Sequence, residues 1–150
     1  REIEEMLEED EEMREQVELL ESMKGVGKVT AVTLLVKLPE LGRVSHKKIA
    51  KLVGVAPMSE ESGKRKGKRK IKGGRGEVRA ALYMATLVAI RFNPVIREYY
   101  ERLLSRGKAK KAAMVACMRK MLIILNAMMR DKRKFKAGDG RDVSSQKTTR

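Results

Sequence analysis

Apolar residues recur along this chain at helical spacing, in stretches separated by glycine and proline. In residues 1–24, Ile3, Met6, Met13, Val17 and Leu20 fall at a and d spacing, with Asp10 and Lys24 at two further a positions and acids at most others. The pattern predicts a helix that is either the end of an acidic coiled coil or a solvated helix laying one stripe on its own domain. Gly25-Val26-Gly27 breaks it, and Lys28–Leu38 resumes a helical pattern until Pro39. Ser45 is placed to cap a helix over His46–Val53, which Gly54 ends. Pro57 opens a long loop through Gly63, Gly67, Gly73, Gly74 and Gly76. A helix is expected from Glu77 to Phe92, with Val78, Leu82, Ala85 and Ala89 on a wide apolar face. Asn93-Pro94 pairs an N-cap with proline at the first helical position and launches Val95–Ser105. After Gly107 a last helix runs over Lys108–Arg130, and from Asp131 the charged, Gly- and Ser-containing chain is expected to be a disordered basic tail.

The fold class is therefore all-α. Residues 1–24 form the coiled-coil-like helix, 25–130 a helical domain with a basic loop at 57–79, and 131–150 the tail. Composition agrees: 42% of residues are apolar but only 3% aromatic, with no Trp and ten Met, so aliphatic and thioether side chains must fill the core. The single Cys117 excludes an internal disulfide framework. The apolar stretches Ala80–Ile90 and Met121–Leu125 fall short of the roughly 20 residues of a membrane span. No segment reads as a signal peptide, so a soluble protein of the cytoplasm, associated with the nucleoid, is expected.

Charge narrows the partners. The net charge is +15, yet residues 1–22 hold eleven acids against Arg1 and Arg14. The remainder is thus more basic than the total, and phosphate backbones are the usual counter-charge for such a body. The densest basic run is Gly-rich rather than opposite an apolar helical face, which favours nucleic acid over a membrane surface.

Three constellations carry candidate chemistry. Gly25, Val26, Gly27 and Lys28 join two predicted helices; glycines permit a tight turn, and the following helix offers free N–H groups beside a lysine. The element (about residues 20–56) resembles a helix-hairpin-helix that grips phosphates, though an ordinary αα-hairpin has the same outline. The second is the loop with Gly63, Lys64, Arg65, Lys66, Lys68, Arg69, Lys70, Lys72, Gly74, Arg75 and Arg79 against Glu77 alone. A solvated linker is the bland reading. Its place between helices and its interspersed glycines favour phosphate contact, with order expected only on nucleic acid. The third is Ser62, at the edge of that loop. Alone it says little, since His46 is the only histidine and no Ser/His/Asp set exists. Neighbouring guanidiniums would suit a phosphodiester under attack, but the proton acceptor or metal is not evident. Tyr83, Tyr99 and Tyr100 fall on predicted helices and Cys117 among small apolar residues, so packing is their default role. No His, Cys or carboxylate pattern has metal-ligand spacing.

An ordered series of short motifs adds a family resemblance. Gly25–Ala31, Leu52–Pro57, Ser62-Gly63, Gly73-Gly74-Arg75, Val78-Arg79 and Leu82–Ala85 are followed by Asn93-Pro94, Tyr100–Leu103, Arg106-Gly107-Lys108 and Met118–Leu122. Over about residues 20–130 this series resembles the C-terminal transposase domain of the IS110 family, bridge-RNA-guided insertion-sequence transposases related to the Piv and MooV DNA invertases. The resemblance implies a site-specific DNA recombinase that binds DNA and a structured guide RNA. It implies that Ser62 is the nucleophile forming a phosphoserine link, and that the acidic helix pairs subunits into a homo-oligomer. It also implies that acidic ligands for Mg2+ sit in a RuvC-like domain outside these residues.

The start at Arg1, already in helical pattern, fits a piece of a longer chain. The expectation is that this piece holds no metal or other cofactor and binds nucleic acid without cleaving DNA alone. The competing class is a non-catalytic helix-hairpin-helix DNA- or RNA-binding module; a purely structural oligomerisation piece is a third.

Overall fold

In the computed structural model, which describes residues 2–57 and 75–140, the acidic N-terminal stretch is two helices, not one. α1 (Glu2–Glu9) and α2 (Glu11–Glu21) meet at Asp10, whose backbone is extended and whose carboxylate accepts from the Met13 N–H at 3.0 Å. Asp is a poor helix-interior residue and a strong N-cap, so the polar residue at an a position starts a helix instead of being carried through one. The uninterrupted helix expected over residues 1–24 is corrected at that point. Its apolar stripe is also accounted for within the chain. Val17, Leu20 and Met23 are buried in the common core, and Ile3 and Met13 pack against it.

The remaining described helices are α3 (Lys28–Lys37), α4 (His46–Val53), α5 (Arg75–Phe92), α6 (Pro94–Ser105) and α7 (Lys110–Asp131). Their ends follow the residue chemistry anticipated above. Ser45 accepts from the Lys48 N–H at 3.1 Å and Gly54 closes α4. Asn93 Oδ1 accepts from the Val95 N–H at 3.0 Å, while Asn93 Nδ2 donates to the Lys24 backbone carbonyl at 3.0 Å. Asn93 thereby caps α6 and ties the α5–α6 corner to the α2–α3 turn. α5 starts at Arg75, ahead of Glu77, so the last residues assigned to the loop are helical.

α7 is the centre of the molecule and packs against α2, α4, α5 and α6. Met121, Leu122, Ile124, Leu125 and Met128 are fully buried on it, facing Leu20, Ile49, Leu82 and Ile96 of the surrounding helices. Burying a side chain of this kind contributes about 1.5–3 kcal/mol, which is how a core lacking Trp is held. By length and composition α7 is also apolar enough to cross a membrane, contrary to the expectation from its uninterrupted apolar runs. However, 67% of its most apolar window is buried inside the molecule, so its hydropathy is that of a core helix.

Residues 131–140 correct the expected disordered tail. Arg133 donates to both Asp139 carboxylate oxygens at 3.2 and 2.7 Å, and Asp139 is fully buried. The Phe135 N–H donates to Ser22 Oγ at 2.8 Å, and Lys120 Nζ donates to the Gly140 carbonyl at 2.9 Å. A charged stretch looks disordered by composition, but here Arg133 and Asp139 satisfy one another and Phe135 packs against the core. Residues 141–150 lie outside the described residues.

Candidate nucleic-acid interface

The α2–α3 turn is built by backbone requirements. Gly25 has φ +114°, and a Cβ there would lie 2.8 Å from Ala89 Cβ and 3.0 Å from the Ala85 carbonyl oxygen of α5. Only glycine meets both the dihedral and the close approach. Val26 is buried and anchors the turn, whereas Gly27 and Lys28 are exposed. Gly27 precedes α3 with extended backbone and supplies no side-chain cap. The first N–H groups of α3 are therefore left without a side-chain cap, beside the Lys28 ammonium, which stands 3.9 Å from Glu4. Such an end suits an anion electrostatically. Gly25, Val26, Gly27 and Lys28 thus do come together as one turn between two helices.

Ser62, Gly63, Arg65, Lys66, Lys68, Arg69, Lys70, Lys72 and Gly74 lie outside the described residues, as does the expectation about the order of their loop. What the structure defines is both flanks. On the N-terminal side, Arg79 of α5 donates to the Val53 carbonyl at 3.0 Å, and Arg119 of α7 donates to the Val55 carbonyl at 2.8 Å. On the C-terminal side, Arg75 makes a two-pronged pair with Glu40 at 2.9 and 2.8 Å, and Lys37 lies 3.1 Å from Glu77. The hydrogen bonds from Arg75 hold the Glu40 carboxyl below the usual carboxylate range, and Glu40 in turn stabilises the Arg75 cation. Arg75 and Arg79, anticipated as loop cations for phosphate, are helical residues whose guanidiniums rest on protein acceptors.

Three contributors were missed from sequence. Glu40 follows Pro39 at a helix end and gave no signal. Arg119 did: it is a fully charged residue beside the buried Met118 and Cys117 on the core helix. Asn126 did as well, as the one polar residue within Met121–Met128. Its Oδ1 accepts from the Gly42 N–H at 2.6 Å and its Nδ2 donates to the Val44 carbonyl at 3.0 Å, fixing the α3–α4 connection. Other candidates for chemistry recede. Cys117 is buried, and burial pushes its thiol up to about 11, which leaves almost no thiolate at neutral pH. Among the described residues, no group of three or more His, Cys, Asp or Glu could hold a metal ion.

Comparison with known proteins bears on this arrangement. Residues 17–101, which include the α2–α3 turn, Ser62, all of α5 and most of α6, match the family described as transposase IS116/IS110/IS902. The pilin gene-inverting protein of Moraxella bovis is 34% identical over 128 residues, covering 83% of this chain and 40% of that protein. The insertion element IS110 43.6 kDa protein of Streptomyces coelicolor is 32% identical over 117 residues, covering 75% of the chain and 28% of that protein. The insertion element IS900 42 kDa protein of Mycobacterium paratuberculosis is 33% identical over 130 residues, covering 84% and 32% respectively. The chain spans less than half the length of each of these relatives.

Proposed function

The chain belongs to the transposase IS116/IS110/IS902 family, and from that premise we propose that it is the nucleic-acid-handling part of a DNA recombinase whose nucleophile is Ser62. The observation that carries the reading is the family match itself. It runs through the α2–α3 turn, the Ser62 segment and α5, and so covers the parts whose composition called for phosphate contact. In this reading DNA and a structured guide RNA are the partners, and the protein acts in the cytoplasm where the nucleoid is. Attack by Ser62 Oγ on a DNA phosphorus exchanges one P–O bond for another. The serine proton passes to an acceptor, and the displaced DNA oxygen takes up a proton and leaves as a hydroxyl. The bond count is conserved, so the energy of the broken link is kept for rejoining.

Any Mg2+ belongs, on this proposal, to acidic ligands elsewhere in the longer protein, and the present chain alone binds nucleic acid without cleaving it. Homo-oligomerisation is part of the proposal too, but not through the Val17 and Leu20 stripe, which the core already covers.

The test uses the full-length protein. Ser62→Ala is expected to abolish strand exchange and the covalent protein–DNA adduct on a suicide substrate, while changing binding only slightly. A variant that still recombined would remove Ser62 from the role. The alternative, a non-catalytic helix-hairpin-helix binding module, is favoured by the open N-terminus of α3. It predicts that no adduct forms with either protein.

A further inference from the structure

Most arginines of the described residues are already engaged by protein groups. Arg75 and Arg133 hold Glu40 and Asp139, Arg79 and Arg119 hold backbone carbonyls, and Arg130 holds Asp131. The turn between α6 and α7 is different. Residues 105–112 are all exposed, and within them Arg106, Lys108, Lys110 and Lys111 make no ion pair or side-chain hydrogen bond among the described residues. Arg102, one turn earlier, is exposed as well and lies over the Tyr99 ring. No Asp or Glu occurs from Arg102 to Arg130. Like charges packed into one turn repel each other, and a polyanion removes that repulsion.

The turn is also fixed in shape. Gly107 takes φ +92° in open space, its N–H donates to the Leu104 carbonyl at 2.9 Å, and the Lys108 N–H donates to the Leu103 carbonyl at 3.1 Å. Charge is therefore presented on an ordered hairpin and not on a chain end. Helix α6 separates it from the α2–α3 turn by 12 residues, which is about 18 Å along the axis. Along α7, Lys110 lies nine residues before Arg119 and the Val55 carbonyl, about 13 Å away. Phosphates recur about every 3.4 Å along one strand, so both distances fall within a few nucleotides.

We propose that the α6–α7 turn is a second phosphodiester-backbone contact, separate from the α2–α3 turn and carried by Arg106, Lys108, Lys110 and Lys111. The inference rests on the nucleic-acid reading above, and the experiment separates the two. A DNA duplex and an RNA duplex of equal length are titrated with the wild type and with Lys108→Gln/Lys110→Gln/Lys111→Gln. A third protein, Lys132→Gln/Lys134→Gln/Lys136→Gln, removes the same charge elsewhere. All six lysines are exposed, so the helical fold is retained and circular dichroism verifies it. At ~0.1 M salt the first variant is expected to bind about tenfold more weakly, with a slope of log K against log salt shallower by about 2–3. Loss on DNA alone, on RNA alone or on both supports the contact and says which acid it serves. A first variant that binds both like the wild type, or that loses no more than the charge-matched control, overturns the inference while leaving the nucleic-acid reading in place. A wild type that binds neither duplex sinks both.

Discussion

Asn126 fixes the tautomer of His46, the only histidine of the chain. Its Oδ1 faces a donor, Gly42 N–H, and its Nδ2 faces an acceptor, the Val44 carbonyl, so the amide has one workable orientation. The second Nδ2 hydrogen then points at His46 Nδ1, 3.0 Å away, which must accept. The proton of neutral His46 sits on Nε2, which is buried without a hydrogen-bond partner among the described residues. Burial, with Arg130 adding to it, pushes the His46 pKa down, against a smaller opposing effect of Asp131. A lowered folded pKa means that protons bind better to the unfolded chain. The contribution to stability is therefore complete above the unfolded value near 6.5 and is lost as pH falls through it toward the folded value. Urea unfolding on either side of that value, at about pH 5.5 and about pH 7.5, is expected to show lower stability at the acid end. His46→Gln should flatten that difference. Asn126→Ala, which strands the Gly42 and Val44 groups, is expected to cost about 2–4 kcal/mol by the same measurement. A cost under half that would mean the α3–α4 connection is held by other contacts.

At the scale of elements, the α2–α3 turn separates stability from binding. Gly27 has φ −95°, and a Cβ placed on it would meet no atom within 4 Å, so a side chain fits there without strain. Gly27→Asp would cap the bare N-terminus of α3, raising stability by roughly 0.5–1 kcal/mol. It would also set a carboxylate where a phosphate is proposed to bind. Thermal melting should rise while affinity for nucleic acid falls several-fold; unchanged affinity would argue that the turn is only a hairpin. These elements were largely legible in sequence because their signals are local: Ser45, Gly54, Asn93-Pro94 and the glycine turn act within one helical turn of themselves. What was not legible depends on residues far apart. Glu40 receives Arg75 from 35 positions away, and the segment in which Asp139 is buried against Arg133 is tied down by Ser22 and Lys120, both distant in sequence. Asp10 is the instructive miss. Heptad spacing read it as a flaw in a long helix, whereas its capping chemistry made it the beginning of the next one. For the Ser62 segment, sequence supplied charge and glycine content, and the role of Ser62 itself came from family resemblance alone.

For the whole molecule, the decisive point is that the acidic N-terminal helix serves this chain's own core. Val17 is 1% and Leu20 0% exposed, beneath a helix that is otherwise acidic. Leu20→Ala is therefore expected to cost about 2–5 kcal/mol, the range for a truncated core leucine. The loss should be the same at low and high protein concentration when measured by urea unfolding. If instead the loss grew on dilution and the mass in solution dropped, the stripe would belong to a contact between copies.

The junctions on either side of the Ser62 segment have a consequence for how such proteins can diversify. The hydrogen bonds described at these junctions join Glu40, Val53, Val55, Arg75, Arg79 and Arg119, six described residues outside 58–74. The junction residues and the charged and glycine residues of the segment are thus separate sets of positions. Exchanging residues 58–74 for the corresponding stretch of a relative leaves each of those six residues unchanged. For any flexible connection, doubling the length adds only about 0.6 kcal/mol of closure entropy. The described helices are in that sense a socket: the stretch between the two junctions can be exchanged between family members, or drift in evolution, without altering the residues that form those junctions.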